Sequence, residues 1–388
     1  MRSVELFAGG GGLAIGLDQA GFDPQVIVEI NKDACSTLRQ NYLTDGDHLL
    51  FEGDIKSFDY KHIEKPITLV SGGPPCQPFS LGGSHKAFDD DRDMFPEAVR
   101  AIRELQPKAF IFENVKGLLR KSFSEYFEYI ILQLQYPSLA KNKGEEWTQH
   151  LARLEQHHTS LHEPDLEYRV VYRLLNSANY GVPQKRERVF IVGFRADVDA
   201  GWSFPEPTHS EDALLWDKWV SGEYWSRHGI TQPQIDEKIL SKIKKLQRKY
   251  GMFAPEEHPW VTVRDALKDI PDPRHETNHN FINHDFKDGA KSYPGHTGSY
   301  IDEPSKTLKA GAHGVPGGEN MIRFEDDSVR YFTIRESARI QTFPDNYVLE
   351  GAWGEAMRQL GNAVPVELAR TVGLSVYNAL SSSTGHSS

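Results

Sequence analysis

A doubly wound α/β fold, with a mostly parallel sheet covered by helices, is what the first half of this 388-residue chain predicts. Three observations carry the prediction. Short runs of near-continuous apolar residues recur up to about residue 195, as expected of strands buried on both faces. Amphipathic stretches of helical period separate them, which is the alternation of a βαβ chain. A glycine-rich turn, FAGGGGLAIG, follows the first apolar run directly, at the strand end where such folds bind ligands.

The elements follow in order. Strands are expected at VELF (4–7), PQVIVEI (24–30), ITLV (67–70), AFIFENV (109–115), YRVVYRLL (168–175) and RVFIVGF (188–194), with one weakly marked strand before GDI. The helices between them are GLAIGLDQAG, NKDACSTLRQNYL, MFPEAVRAIRELQ and SEYFEYIILQLQ, and residues 137–167 read as a polar helical insertion between two strands. After residue 195 Trp, Pro, His and Gly dominate and strands are hard to place. DEKILSKIKKLQRKY reads as a helix with a solvated basic face, and GAHGVPGGEN as loop. RESARIQTFPDNY and AMRQLGNAVPVELARTVGLSVYNAL restore helical periodicity. The expected organisation is therefore an α/β domain over 1–195, a smaller irregular domain over 196–330, a return to the first domain over 331–380, and a disordered tail, 381–388.

Bulk properties narrow the function. With 38% apolar and 26% charged residues the chain is globular. No apolar run approaches a membrane span, and Met1-Arg2 leads almost at once into the first strand, so neither a membrane segment nor a signal peptide is expected and the compartment is the cytoplasm. Cys35 and Cys76, the only cysteines, exclude a disulfide framework and a cysteine-built zinc site, and no metal is expected. The net charge of −11 is a mild argument against nucleic acid, although a basic cleft can sit on an acidic body.

The strand ends collect the polar chemistry. Gly9, Gly11 and Ala14 satisfy G-x-G-x-x-A, and Glu29 lies where a ribose-binding acid belongs. That pattern indicates a nucleoside cofactor and by itself leaves a nicotinamide or flavin dehydrogenase open. Asp54 follows the third strand, and Glu113-Asn114 ends the fifth. The fourth leads into SGGPPCQPFS, which cages Cys76 among prolines. A thiol held still beside a carboxylic acid suits covalent attack on an electrophile activated by protonation, for which a dehydrogenase has no use. In QKRERVFIVG the period-two rule sets Arg186 and Arg188 on one side of a strand, as two cations aimed at one ligand.

FAGGGG, PPCQPFS, FENV, QKRERVFIVG, RESARIQTFP and GNAVP, in that order, resemble the motifs of the C5-cytosine DNA methyltransferases of bacterial restriction–modification systems. The resemblance spans the chain except its variable segment. Two departures are Glu5 in Glu5-Leu6-Phe7, where the family usually has Asp, and Val366 after Pro365, where a second proline is common. The resemblance implies a class I S-adenosylmethionine-dependent fold and, as cofactor, S-adenosyl-L-methionine. Phe7, Gly9, Gly11, Glu29, Ile30, Asp54, Ile55, Pro75, Met94, Asn362 and Val364 would contact it. Cys76 would be the nucleophile, Glu113 the acid on the cytosine ring, and Arg186 and Arg188 the cations around base and nucleophile. Segment 196–330 would be the target-recognition domain, with PSKTLKAGAHG (304–314) as its reading stretch and Lys306, Thr307, Leu308 and Lys309 as contacts. Double-stranded DNA is the implied partner, with a cognate restriction endonuclease as a genetic rather than physical one, and the enzyme is expected to be a monomer. An RNA C5-cytosine methyltransferase and a catalytically dead DNA-binding homologue are the alternatives. The length of the segment after QKRERVFIVG and the intact Cys76, Glu113 and Arg188 weigh against them.

Overall fold

A computed structural model describes residues 1–42, 49–75, 93–160, 165–198, 200–275, 280–310 and 320–384. The described chain forms two compact units. The first comprises 1–175, 187–204 and 347–388, and the second 176–186 and 205–346.

The first unit is built on a seven-stranded sheet: β1 (Arg2–Leu6), β2 (Asp23–Glu29), β3 (Leu49–Glu52), β4 (Leu69–Gly72), β5 (Ala109–Val115), β6 (Tyr168–Asn176) and β7 (Glu187–Arg195). Their order is β3-β2-β1-β4-β5-β7-β6. The pairs β1–β2, β1–β4, β2–β3 and β4–β5 are parallel, while β5 and β7 are antiparallel. The order reverses between β1 and β4, the switch point at which a doubly wound sheet opens a crevice at its carboxyl rim. The runs placed as strands in the sequence are strands here, because central strands covered on both faces need continuous apolar character: Val4, Leu6, Phe110, Ile111, Phe112, Ile191 and Val192 are fully buried.

Helices α1 (Gly12–Gln19), α2 (Lys32–Tyr42), α3 (Phe95–Leu105) and α4 (Ser124–Gln135) lie within a residue or two of their expected spans. The long C-terminal helix Val366–Thr384 packs tightly on α1. A Cβ on Gly16 would come within 2.5 Å of Ala369 Cβ and of the Val366 carbonyl oxygen, so only glycine allows the approach. That helix continues through Ser381 and Ser382, whose hydroxyls donate to the Tyr377 and Asn378 carbonyls. The expected tail is therefore helical to Thr384, and 385–388 lie outside the described residues. The insertion carries α5 (Trp147–Thr159), which is less polar in role than its composition implies: Leu151 and Leu154 join the core beside α4, and His150 bridges the Tyr129 hydroxyl (2.8 Å) and the Leu139 carbonyl (2.7 Å).

The second unit has little regular structure, as its composition implied. It holds a three-stranded sheet (Ser299–Tyr300, Met321–Arg323, Val329–Tyr331), a two-stranded pair (His209–Ser210 with His258–Pro259), several short helices and one longer helix, Glu237–Tyr250, where the sequence placed it. Leu214, Tyr224, Trp225 and Trp260 form one apolar cluster, and Val263, Leu308, Ile322, Phe332 and Ile340 another. The second cluster moves the expected boundary. Phe332 and Ile340, before and at the end of the helix Ile334–Ile340, are buried in it, so the chain returns to the first unit at Tyr347 rather than at 331. Residues 176–186 also belong here, because the buried Gln184 amide bonds the Leu308 amide and the Gln341 side chain, each at 3.0 Å.

Candidate active site

At the carboxyl rim of the sheet the chain leaves β1 through Phe7 (φ +55°), Gly9 (φ +55°) and Gly11 (φ +85°) before entering α1. Gly11 is required twice over. Its backbone is left-handed, and a Cβ there would meet the Tyr347 hydroxyl at 2.5 Å. Tyr347 donates to the Gly10 carbonyl at 3.0 Å, and Gln359 lies against Gly10, so two residues distant in sequence brace the loop. A Cβ at Gly9 would meet nothing within 4 Å, so the space beside that residue is open.

Glu29 ends β2 and folds back on the loop. Its Oε2 accepts from Gly9 N at 2.6 Å, and its Oε1 accepts from Ile30 N (2.9 Å) and Asn31 N (2.7 Å). A carboxylate has about four acceptor positions, so three are used by backbone and one, on Oε2, is left for a hydroxyl. Next to it the Ile30 side chain is 66% exposed, an apolar surface beside the acid. Asp54 is exposed and caps the turn Ile55–Ser57 by accepting from Lys56 N at 3.0 Å, whereas Ile55 is buried. Gly53 N donates to the Glu29 carbonyl at 2.9 Å, which brings the β3 end alongside the β2 end. Pro75 and Met94 meet through a backbone hydrogen bond of 3.2 Å. Asn362 is exposed at the end of the helix Trp353–Asn362, and Val364 is buried just beyond it.

A second group of side chains sits where β4, β5 and β7 end. Glu113, near the end of β5, is 7% exposed, and a Cβ on Gly73 would lie 3.3 Å from its Oε2. Arg188 Nε lies 2.7 Å from Glu113 Oε1. The sheet topology makes this pair: because β7 runs antiparallel to β5, its first residues reach the carboxyl end of β5, with Arg188 opposite Val115 and Phe190 opposite Glu113. Burial pulls the Arg188 guanidinium below its usual range, and the adjoining Glu113 charge opposes that. Asn114, placed with Glu113 at the end of the fifth strand by the sequence, had no role assigned there. Its amide donates to the Pro74 carbonyl at 2.9 Å and so fixes the Gly73-Pro74-Pro75 run against β5. Cys76 follows that run directly and lies outside the described residues. The other cysteine is a packing residue. Cys35 is buried in α2, donates to the Glu29 carbonyl, and its thiol is pushed up to about 12 by burial and by the nearby carboxylates.

Two expectations change here. β7 begins at Glu187, so the period-two argument does not reach Arg186, which precedes the strand and belongs to the second unit. Arg186 is fully buried there, with Nη1 donating to the Leu308 carbonyl at 3.1 Å. Leu308, expected to touch DNA, is itself fully buried in an apolar cluster, so its side chain is a packing element. Thr307 donates to the Lys185 carbonyl at 2.7 Å and anchors the stretch, while Lys306 and Lys309 are exposed. Residues 311–319, all of the expected loop except Asn320, lie outside the described residues.

Comparison with known proteins matches this arrangement. The model of the C-5 cytosine-specific DNA methylase family fits residues 1–136 and 148–378. The Type II methyltransferase M.PspPI of Psychrobacter sp. (strain TA137) is 32% identical over 387 residues, covering 97% of this chain and 79% of that protein. The Type II methyltransferase M.NgoMIV of Neisseria gonorrhoeae is 29% identical, covering 97% of both. Among solved structures the S. pombe Dnmt2 methyltransferase superposes with a TM-score of 0.56 at 17% identity, over 97% of this chain and 99% of that one, a likeness of fold. A reversed sheet order with a glycine loop at the switch point, an ion-paired glutamate at the end of β5 and a family match over nearly the whole length agree, and the chain belongs to the C-5 cytosine-specific DNA methylase family.

Proposed function

We propose that this DNA cytosine-5-methyltransferase moves a methyl group from S-adenosylmethionine to C5 of a cytosine flipped out of a short specific duplex site. On this reading it protects host DNA from a partner restriction endonuclease, as the Type II naming of its relatives suggests. The observation that carries the chemistry is the buried Glu113–Arg188 pair, set against the backbone that leads to Cys76.

The residues at the rim fit the cofactor. The space beside Gly9 is open, Glu29 keeps one acceptor position for a ribose hydroxyl, and Ile30 offers an apolar face for an adenine. Asp54, Met94 and Asn362 would complete the contacts. S-adenosylmethionine supplies, when bound, an electrophilic methyl carbon on a sulfonium.

The chain's own residues make the base reactive. C5 of cytosine is a weak nucleophile until C6 is saturated. The Cys76 thiolate would add to C6, and Glu113 would hold the proton at N3 that the ring needs to accept the electron pair. Arg188 keeps the Glu113 carboxyl oriented towards the base site. C5 then has enamine character and would take the methyl group, with the sulfur–methyl bond breaking and its electron pair staying on sulfur as the neutral thioether. Loss of the C5 proton and departure of the thiolate restore the aromatic ring. None of this is possible in a stacked duplex, hence base flipping.

Bisulfite sequencing of a host genome expressing this chain tests the reading. Conversion-resistant cytosines should cluster at one short motif and vanish with Cys76→Ser. A genome without such a motif, alongside methylated cellular RNA, would overturn it.

A further inference from the structure

The helix Glu237–Tyr250 of the second unit carries Lys238, Lys242, Lys244, Lys245, Arg248 and Lys249 against one acid, Glu237, in a chain of net charge −11. Lys249 is neutralised by Asp212 at 2.7 Å. The other five are exposed, and none of their side chains forms an ion pair among the described residues. Their spacing places like charges three and four residues apart, as in Lys238/Lys242, Lys242/Lys245 and Lys244/Arg248, where each pair costs a few tenths of a kcal/mol. Folding gains nothing from that repulsion.

The apolar side of the helix is already occupied. Ile243 and Leu246 are buried, and the Tyr250 hydroxyl donates to Asp212 at 2.9 Å on the helix Glu211–Trp216. The cations therefore face outward from a fixed rod. From Lys238 to Arg248 they run about 15 Å, the axial length of about four phosphates on one DNA strand. At the end of the helix Gly251 (φ +66°) turns the chain, and Met252 and Phe253 stand 90% and 80% exposed, an apolar tip suited to a groove wall or sugar edge. A lipid surface is the other extended polyanion, but a membrane-surface helix inserts its apolar face, and here Ile243 and Leu246 at the centre of that face are buried, with Leu240 at its edge 43% exposed.

We infer that this helix, with the Met252-Phe253 tip, docks on the phosphate backbone of duplex DNA as a sequence-independent anchor separate from the stretch 304–314. The inference rests on the DNA substrate of the family.

The test uses the full chain with Lys238→Gln, Lys242→Gln, Lys245→Gln and Arg248→Gln combined, all at exposed positions. Binding is measured on a duplex holding the mapped site and on one without it, between about 50 and 200 mM salt. Both affinities should fall together. Each lost phosphate contact makes the slope of log K against log salt less negative by about 0.9, so three lost contacts shrink the affinity drop across that range about 40-fold. Turnover at saturating DNA should not change. An unaltered slope overturns the anchor, as does weakening confined to the target duplex, which would mean that the helix reads bases. Loss of binding to anionic vesicles with the DNA slope unchanged would assign the surface to lipid and also overturn it. A wild-type chain that binds duplex with the expected slope yet transfers no methyl group would count against the catalytic assignments and leave the anchor standing.

Discussion

Replacing Glu5 by Gln should remove a pH-dependent weakness from the first unit. Glu5 lies on β1 directly opposite Ser71 on β4, is 2% exposed, and shares a hydrogen bond with the Ser71 hydroxyl through Oε2, while its Oε1 has no hydrogen-bond partner among the described residues. Burial raises its carboxyl from 4.5 to about 8, against a smaller opposite effect of Ser71. Between those two values the folded protein holds a proton that the unfolded chain has released. The neutral acid's contribution to stability is therefore whole below about pH 4.5 and is lost as the pH rises through about 8. At about 1.4 kcal/mol per pH unit, that gap sets a ceiling of about 5 kcal/mol. Gln cannot ionise. Urea unfolding followed by tryptophan fluorescence at several pH values should show wild type losing stability relative to Glu5→Gln as the pH rises from about 5 to 9. The strands that Glu5 and Ser71 join lead into the glycine loop and the Pro74-Pro75 run, so S-adenosylmethionine affinity should weaken over the same range in wild type alone. Parallel stability profiles for the two proteins would refute the assignment of a neutral buried acid.

Cys76→Ser should abolish methyl transfer with cofactor affinity nearly intact, and a duplex with 5-fluorocytosine at the target should trap wild type covalently; turnover in the Ser variant would remove Cys76 from its role. Glu113→Gln should keep DNA binding and lower turnover about 10²–10⁴-fold, measured in single-turnover assays, whereas a loss below about threefold would mean that another group protonates the ring. Thr307→Ala, which removes the hydroxyl bonded to the Lys185 carbonyl, should loosen the 304–310 stretch and reduce discrimination between target and singly substituted duplexes by about 1–3 kcal/mol, with S-adenosylmethionine binding unchanged. An identical ranking of substrates for wild type and Thr307→Ala would place the reading residues elsewhere in the second unit.

What the sequence determined by itself was set by local and periodic physics. A short continuous apolar run between helical stretches fits a strand covered on both sides, which is why AFIFENV was legible to the residue. Gly9 and Gly11 marked a glycine-rich cofactor loop at the end of β1, and the Pro74-Pro75 run together with FENV pointed to the rim where Glu113 now sits. What only the tertiary structure decided depends on partners far away in the chain. Period two made Arg186 and Arg188 look equivalent. The start of β7 separates them, with Arg188 reaching Glu113 across an antiparallel pairing and Arg186 buried against Leu308. Leu308 looked like a reader of DNA because an exposed and a buried leucine are identical in sequence; Val263, Ile322 and Phe332, from three other segments, make it core. The same cluster moves the return to the first unit from 331 to Tyr347. The bracing of the glycine loop by Tyr347 and Gln359 and the raised pKa of Glu5 were hidden for the same reason. Desolvation and side-chain contact are properties of the assembled neighbourhood, and no window of sequence contains that neighbourhood.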